Sequence, residues 1–484
     1  MTSLDGVIRL IHDKQCSFRV SDDVVKDIED MVVHLVKNLL PKLLKCYPSC
    51  HFSVAEVVDA GSYFEQTKIE LPNEFDFMLV VEQLSNVDSI SLKKGCRDGY
   101  ARVGVVNQEL WDSAKPDDGP ERRFEIAMLQ FNMFVRETLK LLLSEPIKGR
   151  LGEFSMKDIT VRGKPYKAFS HVQTLTLIWT KYSHVDIKHP STKVKILYER
   201  QPKEELEICV DLMSCCHSSL STFNNLLPTM SLKNELLKKN GCHIVLKSCE
   251  SVKCVEKQTE CRLISYTKTE QECMRRLHEN WKTVYKVLKW LFHYTEILEV
   301  DTYKIKTAIL YCSSRRRADS VSLGEGLIKV LYELRKSAYN NRLPGYFNSS
   351  LNVWNVSPSY QYLVKYEISF LLKLFSKMQS VSTDNENTYL QENLSVINMW
   401  LQSFCSHAAE IAEIKKDRLT GLECFNWQGN LFLEILKDLE PVLKSHSRFA
   451  WIPFQMKCCV LGDVFKILTV ILVKKISRMW LALL

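Results

Sequence analysis

Two carboxylates, Glu74 and Asp76, stand two residues apart in the run Glu74-Phe75-Asp76-Phe77-Met78-Leu79-Val80-Val81. The alternation of aromatic and aliphatic residues with a period of two predicts a strand, and so both acids point to one face. Side by side they repel each other, and both stay ionised only when a cation sits between them. Hard oxygen ligands of this kind suit magnesium or manganese. Downstream, Asp211 is centred in another strand-like run, Glu207-Ile208-Cys209-Val210-Asp211-Leu212-Met213. Together Glu74, Asp76 and Asp211 could hold two divalent metals about 4 Å apart, which clamp the attacking and leaving oxygens of an in-line phosphoryl displacement. Upstream, Gly61-Ser62 follows the apolar residues Val54, Val57 and Val58. A glycine there lets backbone N–H groups approach phosphate, and Ser62 adds a hydroxyl. Taken singly, a Gly-Ser pair is an ordinary turn and an acid pair on a strand an ordinary solvated edge; the combination is much rarer.

A Gly-Ser turn, a spaced acid pair on an apolar strand and a third acid on a later strand are the site pattern of the DNA polymerase β-like nucleotidyltransferases. Within that class the words GSYFE and LPNEFDF resemble the cyclic GMP-AMP synthase-like (cGAS-like) receptors of the Mab-twenty-one family, over about residues 20 to 375. The resemblance implies an α+β, bilobal polymerase-β-like nucleotidyltransferase, in which a mixed β-sheet catalytic lobe is joined by a long helix to a helical lobe. It implies ATP and GTP or other NTPs as substrates, a cyclic dinucleotide product, two Mg2+ or Mn2+ ions on the three acids, and innate immune sensing in the cytoplasm. Further site residues follow from matching motifs. Arg262 and Ser265 lie in Arg262-Leu263-Ile264-Ser265, which resembles the family's Arg-x-Ser-Phe-Ser run but is one residue longer between Arg and Ser; Arg262 would approach a base and Ser265 the pocket wall. Lys289 matches a phosphate-contacting lysine. Thr302-Tyr303 resembles a Ser-Tyr element whose tyrosine stacks on a base and whose hydroxyl residue reaches phosphate. The short zinc-binding insertion of vertebrate relatives, expected after Glu272, is missing from the stretch Glu272 to Trp281, which favours double-stranded RNA over DNA as activator. Oligomerisation on the activator is a further expectation.

The elements that must position these residues are legible in outline. Ser21 to Lys45 reads as one helix with Ser21 as N-cap, Asp22 and Asp23 in the first turn, and a kink at Pro41. Its lysines (Lys26, Lys37, Lys42, Lys45) are either a duplex-binding face, as in the family, or a solvated one. A strand is expected at Tyr100 to Val106 and a helix at Phe124 to Leu143. The segment Glu145 to Lys167 reads as turn-rich and basic (Lys148, Arg150, Lys157, Arg162, Lys164, Lys167), and Lys188, Lys193, Lys195, Arg200 and Lys203 continue the charge. Strands are expected at Val172 to Ile178 and Val194 to Tyr198. Helices follow at Glu270 to Phe292, where Lys286 and Lys289 share a face, and at Gly324 to Tyr339 and Tyr362 to Ser376. The expected division is 1–20 as an N-terminal segment, 21–230 as the core lobe with its long helix, 231–377 as the helical lobe and 378–484 as a helical extension of unknown role.

Between Gly241 and Cys261 stand Cys242, His243, Cys249, Cys254 and Cys261, with six, four and six residues between successive cysteines. Four such ligands could hold zinc, but no paired C-x-x-C occurs, and this argues against structural zinc. The chain's 484 residues exceed one core, and 46% hydrophobic with 25% charged residues is a globular composition. A net charge of +8 points to anionic partners. The seventeen scattered cysteines, with no secretory leader over Met1 to Arg19, fit an intracellular protein with reduced thiols. The apolar tail from Cys458 to Leu484 is interrupted by Asp463, Lys466, Lys474, Lys475 and Arg478, so no transmembrane segment is expected. Arg315 to Arg317 is a nucleic-acid patch or a solvated loop. Two alternatives share these observations: a catalytically silent Mab-twenty-one-type scaffold, and a template-independent RNA nucleotidyltransferase.

Overall fold

The computed structural model describes residues 4–379 apart from 48–49, 87, 108–118, 163–171, 183–204, 220–234, 250–260, 295–299, 315–320, 357–360 and scattered positions after 361. Lys164, Lys167, Lys188, Lys193, Lys195, Arg200, Lys203, the expected strand Val194–Tyr198, Cys254, the Arg315–Arg317 triplet and the expected extension beyond Gln379 lie outside the described residues. In chain order the elements are α1 (Leu4–Ile11, continued by a π-helical turn His12–Cys16), α2 (Asp22–Val33), a π-helical turn (His34–Leu39), α3 (Leu40–Cys46), β1 (Val54–Ala60), α4 (Gly61–Phe64), β2 (Glu74–Val81), β3 (Ile90–Lys94), β4 (Tyr100–Val105), α5 (Pro120–Leu142), β5 (Ile147–Lys148), β6 (Gly152–Arg162), β7 (Val172–Lys181) and β8 (Glu205–Ser218). The remainder is α6 (Glu235–Asn240), β9 (Cys242–Ser248), β10 (Cys261–Ser265), α7 (Thr267–Arg275), α8 (Glu279–Tyr294), α9 (Thr302–Ser314) and α10 (Leu323–Asn340).

The protein is thus α+β. One ten-stranded sheet runs β3-β4-β10-β9-β8-β7-β6-β5, with β1 on β2 and β2 on β8. All its pairings are antiparallel except β2 with β8, which is parallel. The helix expected over Ser21 to Lys45 forms with the anticipated cap, Val24 N–H donating to Ser21 Oγ at 3.4 Å. Pro41 is accommodated differently from a simple kink. The π-helical turn His34–Leu39 widens the helix immediately before it, where the proline ring would otherwise meet the carbonyl one turn back. Val24, Ile28, Met31, Leu35, Leu40 and Leu44 bury the apolar stripe in the same core as Phe75, Phe77, Leu79 and Val81 of β2 and Phe124, Phe131 and Leu139 of α5.

A second core is helical and takes Trp281, Leu288, Ile305, Ile309, Leu327, Leu331 and Ile368. Leu4, Ile8 and Cys16 are buried in it as well, so the N-terminal segment packs as part of the helical portion. Three further expectations are corrected. The stretch 152–162, read as turn-rich, is an eleven-residue strand, because Phe154 and Ile159 bury against the sheet core while Lys157 is exposed. Residues 242–265 belong to the sheet, so the helical part begins at α7 rather than near residue 231. The helix expected from Glu270 to Phe292 is two, α7 and α8, separated at Arg276–His278.

Candidate active site

Parallel pairing of β2 with β8 sets Glu74 opposite Cys209 and Asp76 opposite Asp211. A strand's period of two then puts all three acids on one face of adjacent strands. The opposite faces of these strands carry Phe75, Phe77, Val210 and Leu212 into the main core, which fixes the register: slipping by one residue would bury the acids among aromatics. Beyond the acids the same face turns apolar, with Met78, Val80, Val58, Cys215 and Val245 packed together. One flank of the acid group is therefore dry.

Gly61 has φ 71°, and a Cβ there would lie 1.8 Å from Asp76 Oδ2. The Gly61-Ser62 turn is pressed directly on the acid, an approach open only to glycine. The Ser62 carbonyl accepts from the Thr67 N–H at 2.9 Å and the Thr67 hydroxyl at 3.2 Å, which closes the turn. Burial, then the charges of Glu74 and Asp211, push the Asp76 carboxyl up to about 7, opposed by Lys68. Lys68 Nζ donates to Glu74 Oε2 at 2.7 Å and Thr174 Oγ1 to Asp211 Oδ1 at 2.6 Å. Clustered, half-desolvated oxygen donors whose mutual repulsion raises a carboxyl pKa suit a hard divalent cation, so the residues present fit magnesium or manganese.

Lys289 on α8 reaches the same region from the helical core. Burial lowers its ammonium to about 8; Lys68 adds to the shift while Glu74, Glu65 and Asp76 oppose it. Tyr303, near the start of α9, is 37% exposed. Its hydroxyl donates to Glu270 Oε1 at 2.8 Å, and Lys306 Nζ sits 5.8 Å from its ring centre. Thr302 is exposed and its carbonyl accepts from Tyr285 Oη at 3.3 Å. The Ser265 hydroxyl is engaged by Thr267 Oγ1 at 2.7 Å and accepts the Thr267 N–H at 3.3 Å.

Arg262 is not brought to the acids. It is 2% exposed, lies 3.8 Å from Glu125 of α5 and donates to the Leu246 carbonyl at 3.3 Å. The cause is parity. Leu263 packs on the apolar patch beside the acids while Ile264 enters the main core, so Arg262 and Ser265, three apart, face opposite sides of the sheet. The extra residue between Arg and Ser turns the guanidinium away.

Sequence reasoning missed Lys68, Thr174 and a buried charge cluster. Lys306 of α9 bonds Glu65 Oε1 at 2.6 Å and lies 3.9 Å from Glu270. Thr174 has a retrospective signal, since it sits opposite Asp211 in β7; the partners of Lys306 have none in local sequence. On the long helix, Lys26 pairs with Asp30 at 2.7 Å and Lys37 with Asp59 at 2.5 Å, while Lys42 and Lys45 are exposed. Among the described residues no helix is long and apolar enough to cross a membrane. No protein-family model matches the chain.

Proposed function

We propose that the protein is a bilobal, polymerase-β-like nucleotidyltransferase of the cGAS-like kind, which joins two NTPs into a cyclic dinucleotide in response to double-stranded RNA. The observation that carries this reading is the register of β2 on β8, which sets Asp76 beside Asp211 with Glu74 on the same face and Gly61 against Asp76. Glu74, Asp76 and Asp211 would hold two magnesium or manganese ions, which when bound supply Lewis-acid stabilisation at the attacking and leaving oxygens. The Gly61-Ser62 turn would receive the triphosphate, leaving the α-phosphate next to the acids. Lys289 and Lys68 offset phosphate charge, and the exposed face of Tyr303 stacks on a base. A ribose 2′- or 3′-hydroxyl gives up its proton and bonds to the α-phosphorus while the bond to the β-phosphate oxygen breaks and pyrophosphate leaves; a second round closes the ring. Arg262 has no part in base contact.

Only Arg276–His278 separates α7 from α8, so no inserted thumb stands there, and this favours RNA over long DNA. The duplex would be read by shape and phosphate, with Lys42 and Lys45 of the long helix as contacts. The test is incubation with labelled NTPs, Mg2+ and long double-stranded RNA: the wild-type chain is expected to yield a nuclease- and phosphatase-resistant product, and Asp76→Asn and Asp211→Asn none. Condensation unchanged in Asp76→Asn would overturn the site.

A further inference from the structure

Cys96, Cys249 and Cys261 come together although the sequence gives no local sign of it. Cys96 lies in the turn joining β3 to β4, Cys249 just after β9, and Cys261 at the first position of β10. β10 pairs with both β4 and β9, and the three sulfurs all lie within 4.8 Å of one another. Cys242 and His243, their neighbours in sequence, are elsewhere. Cys242 Sγ bonds the Ser218 carbonyl at 3.7 Å, and His243 is buried edge-on to His217 with its pKa lowered to about 3 by burial.

We propose that Cys96, Cys249 and Cys261 bind one zinc ion as thiolates. Zinc–sulfur bonds of about 2.3 Å at tetrahedral angles separate sulfurs by roughly 3.8 Å, and the Cys96 and Cys249 sulfurs are 3.4 Å apart. A disulfide would use only two of the three; zinc uses all. The Cys96 N–H donates to Cys261 Sγ at 3.2 Å, the backbone hydrogen bond that stabilises a ligating sulfur. Tyr100 packs against the buried Cys249 and Cys261. Each thiol releases its proton on binding, and the trio supplies three of the ion's four ligands. Cys249 and Cys261 are buried at 3% and 0% exposure while Cys96 is exposed. The ion would therefore clasp the β3–β4 hairpin to the ends of β9 and β10, a structural role distinct from the acid site and independent of the nucleotide reading.

The test uses the full chain and reads metal, not activity. Zinc released by a thiol-reactive mercurial is expected at about one ion per chain. After replacement by Co2+, a thiolate-to-cobalt charge-transfer band is expected. Cys96→Ser, at the exposed position, should weaken zinc binding at least about tenfold; Cys46→Ser, at an exposed cysteine elsewhere, should leave it unchanged. The proposal is overturned by a reconstituted wild-type chain that holds no zinc and shows no thiolate–cobalt band. A band undiminished in Cys96→Ser, or a Cys96–Cys249 disulfide found by peptide mapping of the protein as purified, would overturn it too.

Discussion

Asp76 is where charge, burial and backbone constraint meet. Burial first, then the neighbouring carboxylates, raise its carboxyl from 3.8 to about 7. The folded state thus holds the proton more tightly than the unfolded chain, so stability falls as pH rises through the window from about 4 to about 7 and stays reduced above it. In chelator at pH 8, Asp76→Asn is expected to be more stable than wild type by about 1–3 kcal/mol in denaturant melts. Mg2+ should stabilise the wild type and leave the variant unmoved, and a variant no more stable than wild type would show that the buried Asp76 carboxylate carries no such cost. Gly61→Ala should cost at least about 100-fold in turnover, since its Cβ cannot share space with Asp76 Oδ2. Lys289, lowered to about 8, loses its charge above that pH. Wild-type kcat/KM for NTP should therefore decline above pH 8, and Lys289→Met should start about tenfold lower with no such decline.

Among the elements, α4 and α9 are tied by ions rather than by apolar packing. Glu65, which ends α4, is 1% exposed and holds Lys306 of α9. Lys306→Met should destabilise the fold by about 3–5 kcal/mol by stranding the buried carboxylate, and Glu65→Gln added to it should recover most of that loss. Full additivity of the two single effects would show that they are not a pair. The helix cap at Ser21, the alternation in β2 and β8 and the span of α5 were legible because capping and periodicity are local signals. The parallel register of β2 on β8 was not, because it joins residues more than a hundred positions apart, and neither were Cys96 with Cys249, separated by 153 positions. Arg262 was legible in principle: a three-residue spacing to Ser265 on a strand already assigns it to the other face. Residues 152–162 misled because a β-bulge between Met156 and Asp158 sets the buried Phe154 and Ile159 five positions apart, which breaks the period of two that marks a strand.

At the scale of the molecule, a sheet core and a helical core meet beside the acids, with Lys289, Tyr303 and Lys306 reaching over from the helical side. A nucleotide seated there would touch both cores. Duplex binding through Lys42 and Lys45 should weaken steeply with salt, and the double alanine variant should flatten that slope by about two phosphate contacts. The most direct measurement is incubation of the purified chain with all four labelled NTPs and Mg2+, with and without long duplex RNA or DNA, resolving products that survive nuclease and phosphatase. A resistant cyclic dinucleotide is expected with duplex RNA, absent in Asp211→Asn. Saturable nucleotide binding with no resistant product under either duplex would contradict it and favour a silent scaffold.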